Sequence, residues 1–326
     1  MTDAIDVSVV IPTYNRLWSL PKAVDSCRGT RCRTEIIVID DGSTDETWAW
    51  LERQPDVIAV QQPNQGQTWA ANRGTAQARG AYLRYLDSDD FLCPGTIDRQ
   101  FEAAIATGAD LVYSRVDDYY HPTGEIRAHD ELPFWDDFLA VQLGEGDGSH
   151  YLGMLFRRQL AAQVPRRPEF SFRDDRMVLL EMGLLDPKLT HVPGCAGYWV
   201  RHVGQMHDTY RGMKSVVANW QYLNIYKRIL GELERRNQLT PRRARAATNV
   251  LWPLAHNIAY THPAEAAEVV DWIYRLDPAF LPPESGVLGS LYRRLGFPRT
   301  EQLLRLRRAV VSRLRRSKQA TPQHAC

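Results

Sequence analysis

The apolar positions of this chain alternate between two periods. Val7 to Ile11 is an unbroken apolar run closed by Pro12, which predicts a strand buried on both faces, as in a parallel sheet. Glu35 to Ile39, Val57 to Val60, Ala81 to Leu86 and Ala109 to Ser114 predict four more strands. Between them the period lengthens to that of a helix. Leu17, Leu20, Val24 and Cys27 predict one helix. Trp48 and Leu51 predict another, capped by Ser43 or Thr44. A third runs through Trp69, Asn72, Arg73 and Ala76 to an end at Gly80, and a fourth from about Pro94 to Thr107. Strands alternating with helices of this length predict βαβ units and a parallel sheet.

The pattern then loosens. Val116 to Arg127 predicts a hairpin turning near Pro122-Thr123-Gly124, and Glu145 to Gly148 a flexible loop before a short strand, Tyr151 to Phe156. Phe170 to Asp175 leads into a helix through Met177, Leu180 and Leu184, and His191 to Arg201 predicts a last strand. Helices follow at Val216 to Leu233, Pro241 to Tyr260 and Ala264 to Leu276. The expected fold class is therefore α/β, a mostly parallel sheet with flanking helices, plus a C-terminal helical region. The expected division falls near residue 210, with a first half to about 115, a second from 116 to 210, and helices over 211–326.

In open sheets of this kind ligands bind outside the carboxyl ends of the strands. Four polar loops stand there: Thr13 to Arg16, Asp40 to Asp45, Asn64 to Gly66, and Asp87 to Asp90. The last is the most telling, because an apolar strand runs straight into Asp87-Ser88-Asp89-Asp90. In an extended chain Asp87 and Asp89 share one face, with Ser88 and Asp90 on the other. Paired carboxylates repel unless a cation lies between them, and a hard divalent ion shared with phosphate oxygens fits that need. Alone, the tetrapeptide also suits a helix cap; four such loops at one sheet end favour a nucleoside-diphosphate site.

Charge changes the picture at one place. From Leu291 onward ten basic residues stand against the single acid Glu301, leaving 30 basic and 38 acidic residues before it. Leu303, Leu306, Val310 and Leu314 recur among those arginines at helical spacing, so the tail predicts an amphipathic helix able to lie on an anionic membrane or to pack back on its neighbours. Positive charge confined to a tail argues against nucleic acid as the partner. Five cysteines without a Cys-x-x-Cys pair suit reduced thiols, and the first residues lack the pattern of a signal peptide, so the expected location is cytoplasmic.

Val9 to Asn15, Val38 to Asp45, Asn64-Gln65-Gly66 with Asn72, and Leu86 to Asp90, in this order, resemble the family 2 glycosyltransferases and their GT-A (Rossmann-like) fold. The resemblance is strong over the first third and traceable to about His207. It implies that Pro12, Thr13 and Tyr14 line a base pocket and that Asp41 accepts a hydrogen bond from the base. Arg16, Asn64, Gly66, Asn72, Arg73 and Ser88 join the expected nucleotide-sugar set. Asp87 would face the ribose or sugar and, with Asp89, hold Mg or Mn at the diphosphate. A base that takes the acceptor's proton is implied at Asp175, with Asp174 in reserve. Beyond the last strand, Arg201 would supply a cation, and His202 or His207 a metal-binding imidazole. Many relatives read Ala-Arg-Asn where this chain has Ala70-Ala71-Asn72-Arg73, which leaves open whether Arg73 substitutes.

The activity so implied is inverting, metal-dependent transfer from a nucleoside-diphosphate sugar, UDP-sugar favoured, to a saccharide or lipid-linked acceptor in polysaccharide or glycoconjugate synthesis. A sugar-phosphate nucleotidyltransferase would instead carry a glycine-rich loop after Ile11, where Pro12-Thr13-Tyr14 stands. A non-catalytic binding subunit would have no need of Asp89 and Asp175.

Overall fold

The computed structural model describes residues 4–146, 148, 150–203, 205 and 211–319, with side chains as far as residue 307. In chain order the strands are β1 (Val7–Thr13), β2 (Thr34–Asp40), β3 (Val57–Gln61), β4 (Tyr82–Tyr85), β5 (Phe91–Leu92), β6 (Leu111–Tyr120), β7 (Glu125–Arg127), β8 (Met154–Arg157) and β9 (Leu189–Arg201). The helices of the sheet region are α1 (Leu20–Asp25), α2 (Thr47–Leu51), α3 (Gln67–Gln77), α4 (Thr96–Thr107), α5 (Phe138–Ala140), α6 (Arg158–Gln163) and α7 (Asp174–Gly183). After them come α8 (Met213–Arg235), α9 (Pro241–Ala259), α10 (Pro263–Leu276) and α11 (Gly286–Gln319).

One sheet runs in the order β3-β2-β1-β4-β8-β6-β9-β5, with β7 paired to β6. From β3 to β4 every pairing is parallel, which explains the unbroken apolar runs: β1 is buried at all seven positions. Ser8, the one polar side chain inside that run, donates to Glu35 at 2.6 Å and accepts from the Gly80 amide at 2.8 Å, so burial leaves it satisfied. Helix α3 lies tight on β1 because residue 74 is glycine; a Cβ there would come within 2.3 Å of Val10 Cγ1. The sheet then turns antiparallel, since β8 meets both β4 and β6 in that sense, and β6 with β9 is parallel again.

Several boundaries differ from expectation. The first helix starts at Leu20 rather than Leu17, with Pro21 in its first turn, and this frees Trp18 from the core. Helix α2 is not capped by Ser43 or Thr44: Ser43 Oγ is bonded to Asp40, while Asp45 accepts from the Thr47 amide. Helix α3 ends before Gly80, because the Arg79 and Gly80 amides turn away to Glu35 and Ser8. The expected strand over 151–156 splits, Tyr151–Gly153 forming a 3-10 turn and only Met154–Arg157 pairing in the sheet.

The helical region is not a separate ball. Its apolar core, built from α8, α9, α10 and the start of α11, also takes in Leu139, Leu143, Met177 and Leu180. Helix α7 is thus held from both sides. Helix α11 breaks at Gly296 (φ 76°), just before Pro298. Tyr292 and Phe297 are buried, whereas Leu303 and Leu306 are exposed. The side chains of Val310 and Leu314 lie outside the described residues.

Candidate active site

The strand-end loops are stitched to one another before any ligand is considered. The Asp41 amide donates to the Thr13 carbonyl at 2.8 Å, and the Asn15 amide to Ser43 Oγ at 2.9 Å. Thr13 is buried with a hydroxyl that finds no partner among the described residues, while Tyr14 beside it is exposed. Pro12 is buried in the last part of β1. The buried Asp41 carboxylate accepts from Gln62 Nε2 (2.8 Å), the Gln65 amide (2.9 Å) and the Gly66 amide (2.7 Å). Asp41 therefore shapes the Asn64–Gly66 loop. That loop in turn passes so close to Gly42 that a Cβ there would lie 3.0 Å from the Asn64 amide nitrogen.

The acidic motif is not extended as expected. The Asp90 amide bonds back to the Asp87 carbonyl at 3.0 Å, which closes a turn at Ser88-Asp89. Because the chain turns, Asp90 joins Asp87 and Asp89, and one carboxylate oxygen from each lies within 4.8 Å of the others. Ser88 is buried beneath, its carbonyl accepting from Ser19 Oγ at 2.8 Å. Asp90 accepts from the Val200 amide at 2.8 Å and so ties the turn to the end of β9. Asp87 accepts from Gln67 Nε2 at 2.8 Å, and Asp89 lies 3.2 Å from His202 Nε2 and 3.5 Å from Arg16 Nε.

The charges respond in opposite directions. Burial, reinforced by the Asp89 charge, pushes the Asp87 carboxyl up to about 7. Burial also pushes Asp90 well above the usual carboxylate range, with Asp89 and Asp87 adding to it. Asp89 goes the other way: burial opposes its charge, but the His202 hydrogen bond and Arg16 outweigh burial and hold it below the usual range. His202 is raised in turn, chiefly by its bond to Asp89. Three acceptor-only groups and an imidazole, too acidic a set to ionise fully unaided, fit a divalent cation. Trp18, about half exposed, packs on His202 and His121 with ring centroids 4.9 and 5.1 Å away.

At the start of α7 the two acids differ. Asp174 is paired with the buried Arg166 guanidinium. Among the described residues the Asp175 carboxylate, in the first turn of the helix, carries no hydrogen bond or ion pair. Neither acid caps the helix, whose N-cap position is Arg173. The Asp175 charge reaches His150, which stacks on Trp199 at 5.1 Å; burial pushes that imidazole down to about 4.

The other expected residues take less direct places. Asn72 spends both ends of its amide on the Arg166 backbone, at 2.8 Å each. Arg73 is exposed and donates to Gln61 O at 3.2 Å. Arg201 donates to Asp118 at 2.9 Å and covers the Trp199 ring, so it anchors β9 to β6. His207 lies outside the described residues. Gln67, Asp90, His150 and Arg166 are the residues that the sequence pattern missed. Only Asp90 had a visible signal, as the third acid of its motif.

Residues 8–164 match the family described as Glycosyl transferase family 2. The succinoglycan biosynthesis protein ExoO of Rhizobium meliloti is 35% identical over 117 residues, which cover 34% of this chain and 33% of that protein. Glycosyltransferase AglE of Haloferax volcanii is 32% identical over 148 residues, 43% of this chain and 47% of the relative. The chain thus spans less than half the length of these relatives. Among solved structures, S. aureus TarS 1-349 in complex with UDP-GlcNAc superposes with a TM-score of 0.53 at 14% identity, over 84% of this chain and 91% of that one. GalNAc-T7 with UDP, GalNAc and Mn2+ gives 0.52 at 16% identity, over 70% and 48%. These structures share the fold. Residues 8–164, with their parallel strands and the carboxylates gathered at the strand ends, form a glycosyl transferase family 2 domain.

Proposed function

We propose that the protein transfers a sugar from a nucleoside-diphosphate sugar, a UDP-sugar foremost, to a hydroxyl acceptor with inversion at the anomeric carbon. The observation that carries this reading is the gathering of Asp87, Asp89 and Asp90 together with a separate carboxylate, Asp175, that has no hydrogen bond or ion pair among the described residues. Asp87, Asp89 and His202 would hold Mg or Mn, Mn being the better match to an imidazole. Such an ion, when bound, supplies Lewis-acid stabilisation of the charge that develops on the leaving diphosphate. Asp175 takes the proton of the attacking hydroxyl. Asp41 keeps the loop at Asn64–Gly66 closed around the nucleotide, with Pro12, Thr13 and Tyr14 lining the base. The TarS structures in complex with UDP and with UDP-GlcNAc support a uridine donor by likeness of fold.

The acceptor in this reading is a saccharide or lipid-linked hydroxyl in polysaccharide or glycoconjugate synthesis, consistent with the relative ExoO being a succinoglycan biosynthesis protein. The protein works in the cytoplasm, against the inner face of the membrane. Leu303 and Leu306 support this: they are exposed on α11 rather than packed on the helices, within a strongly basic segment. Sedimentation with anionic vesicles should fall when residues from 299 onward are removed, and should fall with salt. Equal sedimentation with and without that segment would remove the membrane from the reading.

The transfer itself is tested with a panel of UDP- and GDP-sugars, Mg or Mn, and detection of released nucleoside diphosphate. Asp89→Asn should abolish the metal dependence of nucleotide binding. Asp175→Asn should keep donor binding and lose roughly 10²–10⁴-fold in turnover. Wild-type protein that releases no nucleoside diphosphate from any donor, or an Asp175→Asn variant at full rate, would overturn the proposal.

A further inference from the structure

Arg166 lies between α6 and α7, in a stretch for which the apolar pattern predicts no element. It is 5% exposed, in a class of side chain that is seldom buried unless paired. Its guanidinium is 4.5 Å from the Tyr85 ring and 5.3 Å from the Tyr151 ring, and it is ion-paired with Asp174. Its Nε–H is buried with no partner among the described residues. Its backbone is seated on α3, because the Asn72 amide binds both the Arg166 N–H and its carbonyl. Tyr151, under the guanidinium, lies beside the Asp87 carboxylate. One residue thus touches what carries the donor-side acids and what carries the acid pair of α7.

We propose that Arg166 is a positioning residue of the transfer reaction: it fixes Asp174 at the start of α7, so that of the two acids there Asp175 is the one with no hydrogen bond or ion pair among the described residues. The inference rests on the reading of the site given above. A buried carboxylate stripped of its cation is strongly destabilising, so Asp174 needs this partner to stay ionised where it is. A planar guanidinium gripping a carboxylate while stacked on two rings fixes direction as well as charge, which an ammonium does less well. Asp175 follows Asp174 directly in the same helical turn, so a shift of the first acid displaces the second. Displacements of about 1 Å in a reacting group cost on the order of 10²-fold in rate.

The test compares kcat and donor KM, from nucleoside-diphosphate release, with thermal melts for the same full-length variants. Arg166→Met should lose on the order of 10²-fold in kcat with donor KM within about threefold of wild type. Arg166→Lys should recover part of that loss. Wild-type kcat in folded Arg166→Met, or a loss confined to KM, overturns the inference. If Arg166→Met does not fold, Arg166→Lys decides: full kcat overturns, a reduced kcat at unchanged KM supports. Failure of the wild type to turn over any donor would instead fell the functional reading, so the two failures are distinct.

Discussion

Asp41 is the residue whose structural and ligand roles can be separated most sharply. Its carboxylate accepts three hydrogen bonds at 2.7–2.9 Å, one from Gln62 and two from the amides of Gln65 and Gly66. Hydrogen bonds to a charged acceptor contribute roughly 1.5–3 kcal/mol each. Gln65 is exposed and Gly66 half-buried, so water reaches those amides once the carboxylate is gone and part of the loss is recovered. Asp41→Ala should therefore destabilise the fold by on the order of 3 kcal/mol. Asp41→Asn should lose about half as much, since one oxygen remains but an NH₂ group would face an N–H donor. Both variants should also weaken UDP, because the loop they release leads into α3, whose Gln67 holds Asp87 and whose Asn72 holds Arg166. Urea denaturation gives the first quantity; calorimetric titration with UDP and ADP gives the second. If Asp41→Ala costs less than about 0.5 kcal/mol while UDP and ADP are no longer distinguished, the carboxylate only reads the base and the loop holds itself.

Two further outcomes follow from groups outside the carboxylate cluster. His150 is held near 4 by burial, with Arg176, Arg201 and Arg166 adding to it and Asp175 opposing. Its folded value lies below the unfolded one of about 6.5, so its contribution is complete above about pH 6.5 and is lost as pH falls towards 4, on the order of 2–3 kcal/mol. His150→Gln should flatten urea stability over that window; an unaltered pH dependence would contradict the assignment. The Cys93 and Cys195 sulfurs lie 2.9 Å apart across β5 and β9 although no short motif pairs them. Dilute hydrogen peroxide should join them, two thiols and one peroxide giving a disulfide and two waters. A non-reducing digest that leaves both alkylated would refute that.

Much of the donor half was legible because its physics is local. A parallel strand buried on both faces reads as a largely apolar run, and β1 and β2 are such runs; β3 is apolar but only half-buried at the sheet edge, and β4 carries the buried Arg84. The same reasoning placed α7, β9 and the three helices α8 to α10. It failed where a local rule met a distant partner. The Asp87–Asp90 stretch reads as a strand continuing, yet Ser19 takes its carbonyl and Val200 its last side chain, so it turns. Tyr151 to Gly153 reads as strand, yet the fully buried Arg84 of β4 takes the Leu152 carbonyl at 2.6 Å and the segment coils.

The acids and the cations of this site were unequally visible for a related reason. Acids at the ends of parallel strands are announced by the strands themselves, and Asp41, Asp87 and Asp89 all follow apolar runs. Their cations come from wherever the fold delivers charge: Arg16 from the loop before α1, His202 from beyond β9, and Arg166 from an aperiodic stretch. Sequence separation between Asp89 and His202 is 113 residues. No spacing rule connects such pairs, because only the tertiary fold brings them within 4 Å. The carboxylates locate the candidate site, but their partners come from long range. The choice between Asp174 and Asp175, which their order in the chain leaves open, meets the same difficulty: Arg166 grips Asp174, while Asp175 carries no hydrogen bond or ion pair among the described residues.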